Sequence, residues 1–199
     1  MRKILTILAI LLAFGSVASA QIPSSPVSIY AGGALSIPTS PESFKTTFKN
    51  GYHGSLGLGF TASPLFELVG KVEYHTFSFD FDPAYSDYSG GTNKMWMFGG
   101  DVKVNPNVPA FPVSPYILAG VGFANIKQSE FEGPASLSLS ILNSAISESQ
   151  TKFYWNTGAG FTLKTSPVFS LFAQVRYVSI ATDNETSAFI PVTIGLKFF

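Results

Sequence analysis

The sequence predicts an all-β fold: a closed antiparallel up-and-down transmembrane β-barrel of eight strands. Three observations predict it. Apolar and non-apolar residues alternate with a period of two in eight separate segments, which is the periodicity of a β-strand with two different faces. After the N-terminal leader, no segment is long and apolar enough to cross a bilayer as a helix. The chain also begins like an exported protein.

The first twenty residues have the pattern of a signal peptide. A basic start is followed by an apolar stretch over residues 4–14 and by an Ala-Ser-Ala ending. The apolar stretch is too short to span a bilayer comfortably as a helix. We therefore expect residues 1–20 to be removed as a signal peptide and residues 21–199 to form the barrel domain.

The composition excludes several classes of function. The chain is 15% aromatic and only 12% charged, with a formal net charge of +0, so it offers no basic patch for nucleic acid. It contains no cysteine, which excludes disulfides, thiol catalysis, cysteine zinc sites and a lipid-modified cysteine. From the sequence we expect no cofactor, no metal and no nucleic-acid partner.

Eight alternating segments define the predicted strands. Residues of one parity are mostly Leu, Ile, Val and aromatic, and residues of the other parity include the charged and many of the glycine positions. All the predicted strand charges therefore fall on one face. The segments cover residues 27–37, 51–61, 67–75, 95–104, 116–124, 152–163, 169–177 and 190–199.

The connections alternate in length. Short links around residues 63–65, 105–114 and 165–167 alternate with longer polar links at 38–50, 80–93, 127–150 and 179–187. Short periplasmic turns and long external loops are typical of outer-membrane barrels. Both chain termini are then expected on the periplasmic side.

Folding neighbouring segments about their turns predicts their register. The parities agree in both hairpins tested, so that apolar residues face apolar residues and polar residues face polar ones. The predicted pairs are Phe60–Leu68, Leu58–Gly70, Leu56–Val72 and Ser55–Glu73 about Pro64, and Phe161–Leu171, Trp155–Tyr177 and Asn156–Arg176 about Ser166.

Alternation alone does not distinguish a membrane barrel from a soluble β-sandwich, but two further features favour the barrel. Glycine crowds the non-apolar face, as a narrow barrel interior requires. Aromatic residues lie toward the ends of the apolar faces, where the interfacial girdles of a membrane barrel are found. The predicted lipid-interface aromatics are Tyr52, Phe60, Tyr74, Trp96, Trp155, Tyr177 and Phe198.

Two stretches carry a resemblance to a known family. Residues 115–123, PYILAGVGF, and the ending 190–199, IPVTIGLKFF, resemble the eight-stranded outer-membrane barrel superfamily that includes protein A, X and W types and opacity proteins. The resemblance extends over residues 26–199 and implies an outer-membrane location with outer-membrane lipid as partner. It also implies recognition by the barrel-assembly machinery, for which Gly195, Phe198 and Phe199 resemble the family's terminal signal.

Charged residues on the inner face suggest two alternatives. Side chains in a barrel of this size are expected to meet across the lumen as a salt-bridged plug. A narrow channel for small or hydrophobic solutes is the alternative. The predicted interior polar network comprises Glu67, Lys71, Glu73, Asp101, Lys103 and Arg176.

His53 and His75 are expected to face each other as an interior pair near the extracellular rim, close to Ser55 and Glu73. Lipid-A-modifying enzymes of similar architecture use a His with a Ser and a third polar group, so the resemblance leaves such an enzyme as a second alternative. No enzyme motif of that family is present, and we favour a hydrogen-bonded interior pair without catalysis.

The external loops are the expected site of any specific contact. Asp80, Asp82 and Asp87 lack the spacing of a calcium site and are interpreted as solvated acids. The loop at 127–150 is the longest and is the expected place for an extracellular ligand to bind. The sequence thus predicts a non-catalytic outer-membrane protein with a structural or surface-interaction role.

Overall fold

The computed structural model describes residues 26–80, 89–105, 112–132, 149–182 and 185–199, and the expected signal peptide lies outside them. Eight long strands dominate these residues, and each predicted segment overlaps one of them. The strands are β1 (Val27–Ser40), β2 (Gly51–Thr61), β3 (Phe66–Phe77), β4 (Asn93–Val104), β5 (Val113–Gln128), β6 (Gln150–Lys164), β7 (Phe169–Ala181) and β8 (Thr186–Phe198).

The eight strands form one closed antiparallel barrel. Each strand pairs with its neighbours in sequence, and β1 closes the sheet by pairing with β8 from Ile29–Phe198 to Ser40–Ala188. Closure leaves no free sheet edge, so the backbone hydrogen bonds are made within the sheet. The predicted fold class, an eight-stranded closed up-and-down barrel, is confirmed.

The connections give the barrel two different ends. The links after β2, β4 and β6 and both termini lie at what we call the short-turn end. The links after β1, β3, β5 and β7 lie at what we call the loop end. The first of these contains a short helix, α1 (Glu42–Thr47), where the sequence predicted only a polar connection. No helix in the described part of the chain is long and apolar enough to cross a membrane.

The predicted register is confirmed in one hairpin and wrong in the other. Phe60–Leu68, Leu58–Gly70, Leu56–Val72 and Ser55–Glu73 pair as expected between β2 and β3. Between β6 and β7 the parity is as expected, but each partner lies two positions farther along β7. The observed pairs include Trp155–Ser179, Asn156–Val178, Phe161–Ala173 and Gly158–Arg176.

The turn between β6 and β7 explains the shift. The Ser166 hydroxyl accepts hydrogen bonds from the backbone N–H groups of Val168 (3.2 Å) and Phe169 (3.1 Å). Ser166 therefore precedes the centre of the turn, which lies at Pro167. The β2–β3 turn uses the same arrangement, in which Ser63 accepts from the N–H groups of Leu65 and Phe66 and the centre lies at Pro64.

Apolar side chains cover the outside of the barrel. Leu58 is 63% exposed and Val121 is 54% exposed, whereas Glu73 and Arg176 are only 2% and 1% exposed. In water, a barrel with this orientation would expose a continuous apolar outer surface, so this surface requires lipid around it. The direction of both faces is the one that the alternation predicts for a membrane barrel.

The interior differs from the expected polar and glycine-lined lumen at the loop end. There an apolar layer fills the barrel, with Phe77, Met97, Tyr154, Val178, Ile180 and Phe189 all 0% exposed. These residues lie at inward positions of their strands. They are scattered over several strands, so no single segment of the sequence predicts an apolar layer on the inner face.

A charge placed on the outer face of β5 is expected to destabilise the barrel according to its depth. For Val121→Arg, near the middle of β5, we expect a loss of about 2–4 kcal/mol in the free energy of unfolding in lipid vesicles. The matched control is Val113→Arg, an outward position at the short-turn end, for which about 0–1 kcal/mol is expected. Equal losses in denaturant titrations would contradict a lipid-facing midpoint at Val121.

Candidate functional site

The lumen is the first candidate site, and its polar side chains form layers along the barrel axis. The layer nearest the short-turn end is centred on Glu67, which is 5% exposed. Its carboxylate accepts hydrogen bonds from Ser28 Oγ (2.8 Å) and Tyr30 OH (2.7 Å), and Lys197 Nζ lies 2.9 Å from Oε1. At Gly59 a Cβ atom would lie 2.5 Å from Glu67 Oε1, so a side chain there would displace this carboxylate.

Lys103 occupies an aromatic cage beside this layer. Its ammonium lies 3.9 Å from the centroid of the Tyr30 ring, 4.6 Å from that of Tyr116 and 5.6 Å from that of Phe172. The negative ring faces attract the cation where water is excluded. The Tyr30 hydroxyl also donates to Glu67, so this side chain links Lys103 to the Glu67 layer.

The middle layer is a charge-balanced cluster of four ions. Arg176 donates to both carboxylate oxygens of Glu73, with Nη1 to Oε2 at 3.0 Å. Lys71 Nζ lies 2.8 Å from Asp101 Oδ2 and 3.6 Å from Glu73 Oε2. Asn156 Nδ2 donates to Asp101 Oδ1 at 3.0 Å. Two cations and two anions thus neutralise each other across the lumen, as buried charges require.

The two histidines lie above this cluster, toward the loop end. His53 and His75 pair directly across β2 and β3, and their rings stack with centroids 4.9 Å apart. The Ser36 hydroxyl bridges both rings, 3.1 Å from His53 Nδ1 and 2.9 Å from His75 Nδ1. His53 Nε2 lies 2.9 Å from Thr193 Oγ1.

The expected neighbours of the histidines have other partners. Ser55 Oγ donates to the backbone oxygen of Gly32 at 3.2 Å, and Glu73 is held by Arg176. Ser36 and Thr193, which the sequence analysis did not single out, take their place. Ser36 and His75 are both 0% exposed, and His53 is 7% exposed.

The apolar layer closes the lumen beyond the histidines. His75 contacts Phe189 edge to face at 5.0 Å, and Phe189 contacts Phe77 at 5.5 Å. Phe77 in turn contacts Phe44 of α1 at 5.3 Å, so the helix is held over the barrel mouth by an aromatic contact. The loop end of the lumen is therefore sealed by packed side chains.

The described parts of the loops are tied to one another above this layer. Phe48 and Phe79 form an isolated β-bridge, and the rings of Phe79 and Phe131 lie 5.1 Å apart. Lys49 pairs with Asp80 at 3.3 Å, and the two-residue strands Ser89–Gly90 and Phe131–Glu132 pair with each other. Gly91 donates its N–H to the Glu130 oxygen, with a positive φ of 64° that favours glycine. The first three loops thus share one base.

The expected lipid-interface aromatics all lie at outward positions of their strands. Tyr74 packs on Trp96 at 4.8 Å between ring centroids, and Trp155 packs on Tyr177 at 5.7 Å. Trp155 and Tyr177 are diagonal neighbours on adjacent strands and not direct register partners. The remaining members of the set are Tyr52, Phe60 and Phe198.

The residues expected to form the assembly signal lie at the end of β8. Phe198 points outward, Gly195 occupies an inward position of β8 close to the Phe172 ring, and Phe199 follows the strand with its N–H donated to the Val168 oxygen at 3.0 Å.

Of the loop acids, Asp80 pairs with Lys49, and Asp82 and Asp87 lie outside the described residues. Most of the 127–150 loop, residues 133–148, also lies outside them. Within the described ranges no three His, Asp or Glu side chains are placed to hold a metal.

Comparison with known proteins agrees with this architecture. The sequence profile described as "Outer membrane protein beta-barrel domain" matches residues 6–198. Neisserial surface protein A is similar in structure, with a TM-score of 0.62 and 16% identity over 87% of this chain and 97% of that one. A major outer membrane protein from Thermus thermophilus has a TM-score of 0.59 and 13% identity, covering 86% and 97%. OprG from Pseudomonas aeruginosa has a TM-score of 0.55 and 16% identity, covering 86% and 94%. No curated protein sequence is significantly similar to the chain.

Breaking the ion cluster from one side is expected to be costlier than removing a balanced pair. Arg176→Met leaves two buried carboxylates with Lys71 as their one remaining cation in the cluster, for which we expect a loss of about 3–5 kcal/mol in the free energy of unfolding. The double variant Glu73→Leu/Arg176→Met keeps the Lys71–Asp101 pair balanced and should lose less than Arg176→Met alone. Denaturant titration in vesicles measures both.

The control for this comparison is Lys49→Gln, which removes an exposed ion pair and should change the free energy of unfolding by less than about 1 kcal/mol. A double variant that is less stable than Arg176→Met would show that the middle layer does not depend on charge balance.

Proposed function

The chain belongs to the outer membrane protein β-barrel family, and from this premise we propose that it acts as a non-catalytic barrel whose extracellular loops carry a structural or surface-interaction role. Its place is the bacterial outer membrane. The short-turn end then faces the periplasm and the loop end faces the exterior. Residues 1–20 serve as the export signal, and Gly195, Phe198 and Phe199 serve in recognition by the barrel-assembly machinery.

The observation that carries the proposal is the filled lumen. From the periplasmic side inward, the Glu67 layer, the four-ion cluster, the histidine layer and the apolar layer follow one another. Side chains meet across a barrel of eight strands and leave no continuous column of water. Transport along the axis would have to displace several buried layers at once, which disfavours the channel alternative.

The histidine group also supports a non-catalytic role. A lipid-modifying enzyme needs its nucleophile and base to be reachable from the lipid or from a side opening. Here Ser36 and His75 are fully buried between the ion cluster and Phe189. Their contacts suit an interior hydrogen-bonded pair that fixes β1 against β2 and β3.

The loop base supports surface interaction. Binding loops recognise partners best when a rigid scaffold positions them. Contacts among Phe44, Phe48, Phe77, Phe79 and Phe131 join three loops to one another and to the lumen. Segments between these fixed points are thereby presented from a preorganised base.

Planar-bilayer recording separates the proposal from the channel alternative. We expect the detergent-folded protein to insert without stepwise conductance, because the ion cluster and the apolar layer both block the axis. An open porin inserted under the same conditions serves as the positive control. Stepwise currents that change in amplitude in Arg176→Met would show an axial conducting path and overturn this part of the proposal.

Loop replacement tests the surface role directly. Cells that display the protein are compared with cells displaying a variant in which residues 133–148 are replaced by a short Gly-Ser linker, on a panel of immobilised glycans and matrix proteins. We expect cells that display the unchanged protein to bind at least one member of the panel. Cells that display the variant should lose most of this binding. Gel mobility with and without boiling checks that both barrels are folded. Absence of binding to the whole panel, or equal binding by both, would argue against this loop as the contact site.

A further inference from the structure

A cavity of about 260 Å³ lies inside the barrel wall at the periplasmic mouth. It is separate from the extracellular loops on which the proposed function depends. The side chains that matter in it come from five strands and from the residue that follows a sixth. They are Glu67, Asn105, Ser114, Lys164, Ser170 and Lys197.

Cross-strand pairing places hydroxyls and ammonium groups in one row along this mouth. Ser114 on β5 is opposite Thr162 on β6, and Lys164 on β6 is opposite Ser170 on β7. Ser170 is in turn opposite Lys197 on β8. Three adjacent strand pairs therefore contribute to the same cavity, and its donors are held by the barrel sheet.

Two of the hydroxyls are buried without a partner. Ser114 is 4% exposed and Ser170 is 0% exposed, and neither Oγ atom has a hydrogen-bond partner within the described residues. Asn105 Oδ1 is also buried without a partner there. Buried polar groups are rarely left unsatisfied, and three of them around one cavity indicate that something polar completes their bonds.

The charge around the cavity is positive. Lys197 is paired with Glu67. The ammonium of Lys197 also lies 5.2 Å from the centroid of the Tyr30 ring, and the ammonium of Lys103 lies 3.9 Å from the same centroid. Lys164 also lines the cavity and adds a further ammonium, without an ion pair in the described part of the chain. Among the side chains that line the cavity, two lysines thus face one carboxylate, whereas the middle layer of the lumen is balanced.

We propose that this periplasmic mouth is a binding site for a phosphate group. Lys164 and Lys197 supply the positive charge, and the hydroxyls of Ser114 and Ser170 donate to the phosphate oxygens. The unpartnered Asn105 Oδ1 can accept a hydrogen bond from the P–OH group of a hydrogen phosphate or protonated phosphomonoester. Because Ser114, Thr162, Ser170 and Lys197 are inward positions of their strands, the site takes its ligand from the periplasmic solution rather than from the surrounding lipid.

Titration calorimetry with inorganic phosphate tests the site on the full-length protein folded in a non-ionic detergent at low salt. We expect one saturable site per barrel. Lys164→Gln and Ser170→Ala should each weaken phosphate binding by about tenfold, since each removes one bond to a charged ligand. The matched control is Lys127→Gln, which removes an exposed lysine at the extracellular end and should leave the affinity within about twofold.

Ser170→Ala separates binding from folding. It removes a hydroxyl that has no partner in the described part of the protein, so the variant should fold and keep its heat-dependent gel mobility. Phosphate should raise the thermal unfolding midpoint of the unchanged protein and raise it less in Ser170→Ala. No saturable binding, or equal weakening by Lys127→Gln, would overturn the proposal.

A competition arm identifies the source of the phosphate. Glycerol 3-phosphate should displace inorganic phosphate, whereas nanodiscs of zwitterionic phospholipid should leave its affinity unchanged. Loss of phosphate binding in these nanodiscs would show that a lipid headgroup occupies the mouth and would overturn the assignment to a soluble ligand.

Discussion

Backbone hydrogen bonding in the absence of water is the constraint on which the rest of this structure depends. A strand in lipid cannot leave N–H and C=O groups unpaired, so β1 must meet β8 and the sheet must close. Closure around eight strands then fixes how wide the interior is. The interior is too narrow to remain open and wide enough to need filling, and the layered charges, histidines and aromatics meet that need.

Much of the fold follows from parity, which the sequence shows directly. The outward position of Leu58 and the inward position of Glu73 are set by a period of two, as is the β2–β3 register about Pro64. The β6–β7 register was missed although its signal was present. Ser63-Pro64 and Ser166-Pro167 are the same dipeptide, and in both turns the serine hydroxyl caps two following amides while the proline marks the centre.

The arrangement of the lumen was less accessible from the sequence, because parity gives the face of a residue but not its height or its partner across the barrel. Glu73 is the register partner of Met97 on β4, yet its ion-pair partner is Arg176 on the far side. Inward charges and a histidine pair are predictable from the sequence, but Ser36 and Thr193 carry no signal that marks them as partners. Helix α1 was missed because six residues give too little periodicity to separate a helix from a loop.

The aromatic contacts from Phe189 through Phe77 and Phe44 to the loop base have a consequence for how this surface can evolve. Substitutions that keep the ring contacts of Phe79 and Phe131 leave the base of the loops in place. A change at Phe44 or Phe77 has no such freedom, since it opens a void in the seal of the lumen. These few rings are therefore the loop and rim positions that must stay constant for the cylinder to remain closed.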